Sequence, residues 1–117
     1  MDTSPRFLDE ATRREIVGEM ARLRFADTLA AVKHLAYLAK CGKRFSAGDV
    51  ALILSAAGLA TDGVPAALDD LTRRRVLQSY LKQSAVVYFM ERGARIDYRE
   101  SLGLPSRASP WSCLGTR

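Results

Sequence analysis

At 117 residues the chain has room for one core but not for two independent ones. Its 48% hydrophobic and 26% charged composition is that of a folded globular domain and excludes a disordered chain. The net charge of +5 comes from 18 basic and 13 acidic residues, with Arg far outnumbering Lys, and fits either a nucleic-acid or an acidic protein partner.

Further classes fall away on the same grounds. The longest nearly continuous apolar stretch, 50–60, is broken by Ser55 and Gly58. It is well short of the roughly 20 residues that span a bilayer. The first ten residues, MDTSPRFLDE, carry acids and no apolar segment of signal-peptide type. Cys41 and Cys113 are too few and too distant in sequence to form a disulfide framework. The expectation is a cytoplasmic protein without a membrane segment.

Local signals read as helices. The first is expected from about Arg6 to Arg24, capped by Ser4, with Pro5 in its first turn and Asp9 and Glu10 where the helix dipole favours acids. A second starts at the N-cap Asp27 and closes at Cys41-Gly42, with Leu29, Val32, Leu35, Ala36 and Ala39 on its apolar stripe. A third begins at Ser46, with Asp49 three residues later completing a capping box, and stops at Gly58. Because 50–57 has almost no polar face, this helix is expected to be the enclosed centre of a bundle or to lie in a subunit interface. Leu52 and Ile53 should then both be deeply buried.

The segment GLATDGVP, 58–65, has the composition of a loop. A long fourth helix is expected to begin at Pro65 or Ala66, or to restart at Thr72. It carries an apolar stripe from Leu68 through Tyr88 and stops at Gly93. A rival reading makes VVYFMERGARIDY, 86–98, a β-hairpin with its turn near Glu91–Gly93, since Val86–Phe89 has high strand propensity. On the helical reading, Asp97 caps a short last helix that reaches Leu102. The expected fold is mostly α, a single small bundle of four or five helices spanning 1–103. A flexible tail, 104–117, contains Trp111.

Chemistry is sparse. The single His34 and Cys41 lie seven residues apart, about 10 Å along a helix, too far for direct proton transfer. Asp69 and Asp70 are neighbours that diverge by about 100° on a helix, so they do not form a carboxylate pair. One His and two Cys cannot supply the usual four zinc ligands, and no glycine-rich phosphate loop is present. The expectation is a non-enzymatic protein without metal, cofactor or small-molecule substrate. His34 reads as a helix-surface or boundary residue.

Two readings remain for its partner. Ser46–Ala57, a loop and a helix carrying Thr72, Arg73, Arg74 and Arg75 together resemble a helix–turn–helix DNA-binding segment over about half the chain. In that reading the protein is a small regulator in which Arg73, Arg74 and Arg75 face DNA, and Lys40, Lys43 and Arg44 clamp phosphate. If 86–98 is a hairpin, it occupies the place of a wing, with Arg92 and Arg95 at its tip. Against this, the loop is long for a tight turn, and Asp69 and Asp70 offer the Arg run i, i+4 partners on a solvated face. The alternative is a helical protein–protein interaction module, an adaptor, antiactivator or assembly subunit. Its surplus of apolar residues at 50–57 and 86–90 favours a protein partner or a dimer.

Overall fold

The computed structural model describes residues 7–39 and 43–103. Ser4, Pro5, Lys40, the Cys41-Gly42 step, Trp111 and the rest of 104–117 lie outside the described residues. In chain order the elements are α1 (Glu10–Met20), α2 (Thr28–Leu38), β1 (Phe45–Ser46), α3 (Ala47–Ala56), α4 (Val64–Arg73), β2 (Gln78–Lys82), β3 (Ala85–Phe89) and α5 (Arg92–Ser101). The protein is mostly α, with a small antiparallel sheet in the order β1-β3-β2. No helix among the described residues is long and apolar enough to cross a membrane.

The helix starts follow from local chemistry. The Asp27 carboxylate accepts the Ala30 amide at 2.9 Å and caps α2. At α3 the Ser46 hydroxyl accepts the Asp49 amide at 3.2 Å, and Asp49 Oδ2 accepts the Ser46 amide at 3.0 Å, a complete capping box. Gly58, at φ +80°, ends α3, with the Leu59 amide bonded to the Leu54 carbonyl at 2.8 Å. Pro65 sits in the first turn of α4, where its missing N–H costs nothing.

The long fourth helix does not form. α4 ends at Arg73, and Arg75 takes the left-handed conformation at φ +66°. The Arg75 amide then reaches the Thr72 carbonyl at 3.0 Å and the Val76 amide the Leu71 carbonyl at 2.9 Å, so the last turn is closed as a Schellman motif. Thr72 starts no helix; its hydroxyl donates to the Leu68 carbonyl inside α4 at 2.7 Å. The stripe 76–88 instead becomes a hairpin of β2 and β3, pairing Gln78 with Phe89 and Lys82 with Ala85.

A hairpin wing near 86–98 is therefore displaced as well. The turn is at Gln83-Ser84, φ +53° and +66°, the pair of positive angles of a type I′ turn. Arg92 and Arg95 belong to α5, which begins after Glu91 and runs straight through Asp97. β1, two residues long, joins the sheet by pairing Phe45 with Tyr88 and Ser46 with Val87.

The core lies between α2, α3 and α4 and is closed by α1 and one face of the sheet. Val32, Leu35, Val50, Ile53, Leu54, Leu68, Leu71, Met20 and Phe45 are all buried in it. α3 is not enclosed on every side: Ile53 is buried, but Leu52 is half-buried and Ala56 exposed. Leu52 opens into a cleft of about 240 Å³ against α1, lined also by Glu10, Arg13, Arg14 and Val17. The sheath over this side of α3 is thus a charged helix that leaves a gap rather than a second apolar layer.

Asp49 ties the amino-terminal segment to this core. It is fully buried, and the Oδ2 that completes the cap also accepts the Phe7 amide at 2.8 Å and the Leu8 amide at 3.4 Å. Leu8 is buried as a result of that anchoring.

Candidate interaction surface

The second helix of the helix–loop–helix pair, α4, buries Val64, Ala67, Leu68 and Leu71 and leaves Pro65, Ala66, Asp69 and Arg73 exposed. Its first five residues carry no charge; Asp69 and Asp70 follow, and Arg73, Arg74 and Arg75 come at its carboxyl end. Both Arg73 and Arg74 turn back to one acid. Arg74 Nε lies 3.1 Å and Arg73 Nη1 3.9 Å from Asp70 Oδ1. The spacing explains it, since Asp70 is one turn before each of them and acid before base is the favourable order. Arg75 is exposed at the helix stop.

Lys43 and Arg44 take different anchors. Lys43 Nζ is 3.7 Å from Asp9 Oδ1. Arg44 donates from Nε to the Tyr80 hydroxyl at 3.1 Å, and its guanidinium lies 3.9 Å from the Phe89 ring centre. This is a cation–π contact made across the sheet, because Arg44 precedes β1 while Tyr80 and Phe89 sit on β2 and β3. The structure thus brings Arg73 and Arg74 together on Asp70, and holds Lys43 and Arg44 at the amino-terminal end of β1 on separate partners.

The hairpin presents an apolar surface. Leu81 and Val86 are directly opposite one another across β2 and β3, and they are 71% and 43% exposed. Alternation along the strands puts them on the same face as Tyr88, whose ring packs at 6.2 Å on buried Phe45. Burial raises the Tyr88 pKa, and the Asp69 charge adds to the effect. Lys82 ends β2 with its ammonium 5.7 Å from the Phe7 ring centre.

A second cluster was not visible in the sequence. α5 lies against α2 with Tyr98 at ring-centre distances of 5.7 Å to His34 and 5.2 Å to Tyr37, and Phe25 packs on His34 at 5.6 Å. His34 Nδ1 is 2.8 Å from the Tyr98 hydroxyl. Arg95 donates to the Tyr37 carbonyl at 2.7 Å, and Arg99 donates to the Tyr37 hydroxyl at 2.9 Å. Burial lowers the His34 pKa, with the Glu19 charge opposing, and raises that of Tyr98. The only signal for this cluster was the aromatic content of the two segments, which carries no information on pairing across so long a separation.

Among the described residues no group of three or more His, Cys, Asp and Glu side chains could hold a metal ion. The chain matches no protein-family model, and no significant match was found among curated proteins or solved structures.

Proposed function

We propose that this protein is a small non-enzymatic regulator that binds another protein through the exposed apolar surface of the β2–β3 hairpin. The observation that carries this reading is the exposed apolar cross-strand pair Leu81 and Val86 on the hairpin. An apolar centre with a charged rim is the composition of a protein-binding patch. A phosphate-binding surface needs cations in excess. Here Asp69 and Asp70 offset two of the three arginines at the end of α4, so the excess there is one cation. The ion pairs are exposed and each worth no more than about 1 kcal/mol, so the arginines can be redirected. The two acids still remain and repel a phosphate backbone.

A second reading has its own support. A helix, a loop, a second helix and then an antiparallel hairpin is the order of winged-helix DNA-binding domains, and the chain carries +5. Fold order is weaker support than the chemistry of the face, because one fold serves many functions.

Titration of the full chain with mixed genomic DNA fragments at two salt concentrations separates the two. The protein-partner reading expects weak binding that is indifferent to Arg74→Ala. Affinity falling with salt by about 0.9 log units per contact, with a slope that Arg74→Ala flattens by about one, would replace it with the DNA reading.

A further inference from the structure

Among the described residues, β2 is paired with β3 alone, so its outer edge carries unpaired backbone donors and acceptors. Its residues Ser79–Lys82 are all exposed, and Leu81 is the most exposed large hydrophobic residue described. Natural sheets protect a free edge by shortness, charge, bulges or cover. Here the opposite edge, β1, is protected by being two residues long, whereas β2 has five residues and one charge, at its end. We propose that β2 pairs antiparallel with β2 of a second copy, giving one continuous sheet in the order β1-β3-β2-β2-β3-β1. The proposal rests on the protein-partner reading and names the partner.

Three features select a second copy as the occupant. A pairing centred on Tyr80 is self-complementary. It sets Ser79 opposite the partner's Leu81 and Gln78 opposite the partner's Lys82, so no like charges face each other. Directly opposed residues share a face, so the two Leu81–Val86 pairs come to lie on one side of the joined sheet, with the two Ser79 residues between them. The two-fold arrangement also closes. The only edges it leaves are the two-residue β1 strands, too short to template a further copy, so assembly stops at the dimer. Each protomer carries +5, and the two repel at long range. Screening weakens that repulsion, so the dimer tightens with added salt, the reverse of the dependence for DNA.

Sedimentation of the full chain from about 1 to about 100 μM, at low and high salt, tests this. The expected result is a monomer–dimer equilibrium that shifts to dimer as salt rises. Gln78→Lys is the informative variant. Gln78 Nε2 is 3.4 Å from Glu91 Oε2 in its own chain, so the new Lys has an intramolecular partner and the fold is kept. Across the dimer it meets the partner's Lys82 twice, and dissociation should rise about tenfold or more at low salt. Leu81→Lys, at an exposed position, should weaken the dimer to a similar degree. Circular dichroism melts of both variants report folding separately from association. A monomer at every concentration and salt, or a dimer that both variants leave unchanged, would overturn the proposal. The first result would leave the protein-partner reading standing with a different partner, because the DNA titration tests that reading separately.

Discussion

The Tyr98 hydroxyl lies 2.8 Å from His34 Nδ1 and joins α5 to α2 across 64 positions of sequence. α5 buries none of its own residues completely, so this bond, the two arginine contacts to Tyr37 and the ring packing are its main attachment. The Lys33 ammonium, 5.4 Å from the Tyr98 ring centre, adds a further cation to the seam.

Acid should therefore loosen α5. Burial holds the His34 pKa below its ordinary value of 6.5, and the Glu19 charge only partly offsets this. The unfolded chain takes up the proton first, so the contribution of His34 to stability is fully present above about 6.5 and declines as pH falls through it. The decline ends once pH passes the lower pKa of the folded state. Hydrogen exchange in α5, expressed as protection factors, should fall on acidification from about pH 7.5 to about pH 5. His34→Gln removes the titration, and its protection should stay level; an unchanged acid response in that variant would exclude His34 as the cause.

Asp49→Ala removes an acceptor used by three backbone amides, those of Ser46, Phe7 and Leu8. The loss of the cap together with buried donors left unpaired should cost about 3 kcal/mol in denaturant unfolding. Exchange at Phe7 and Leu8 should rise even in protein that remains folded. A cost under about 0.5 kcal/mol would show that Asp49 is not the anchor of the amino-terminal segment.

Arg75→Gly should stabilise the domain. An L-residue in the left-handed region carries a penalty of about 1–2 kcal/mol, which glycine does not have. Greater freedom of the unfolded chain returns part of that gain, leaving a net increase of up to about 1 kcal/mol. The double change Gln83→Asn with Ser84→Gly should act in the same direction at the hairpin turn. Thermal melts of the two variants measure both effects; a loss of stability in either would contradict the left-handed conformation at that site.

Adjacent residues on α3 should respond unequally to truncation. Ile53 is 1% exposed, and Ile53→Ala should cost about 2–5 kcal/mol. Leu52 borders the cleft against α1, so Leu52→Ala should cost less, about 1–2 kcal/mol. Equal costs in urea unfolding would mean that the cleft closes over Leu52 in solution.

Elements whose ends are set by their own residues were legible in the sequence. Asp27, the Ser46–Asp49 box, Gly58 and Pro65 mark the start of α2, the two ends of α3 and the start of α4, because caps and punctuating residues act within one turn. The same reasoning failed after Arg73. The helix stop at Arg75 and the hairpin turn at Gln83-Ser84 use left-handed residues that are neither Gly nor Asn, so neither leaves a mark in the residue types. Between them, 76–88 has apolar residues that fit a helical stripe as well as alternating strands.

Tertiary structure decided that segment. Leu77, Val87 and Met90 are buried only when the chain reverses at Gln83-Ser84 and β3 lies between β1 and β2. Candidate site residues divide in the same way. The pairing of Arg74 with Asp70 is a local property of α4 and was readable from the i, i+4 spacing, whereas Arg73 turns to Asp70 at i, i+3 instead of to Asp69. The contacts of Arg44 with Tyr80 and Phe89, of His34 with Tyr98 and of Asp49 with Phe7 depend on sheet register and helix docking. Register and docking are set by burial summed over the whole core, a quantity that no short window of sequence contains.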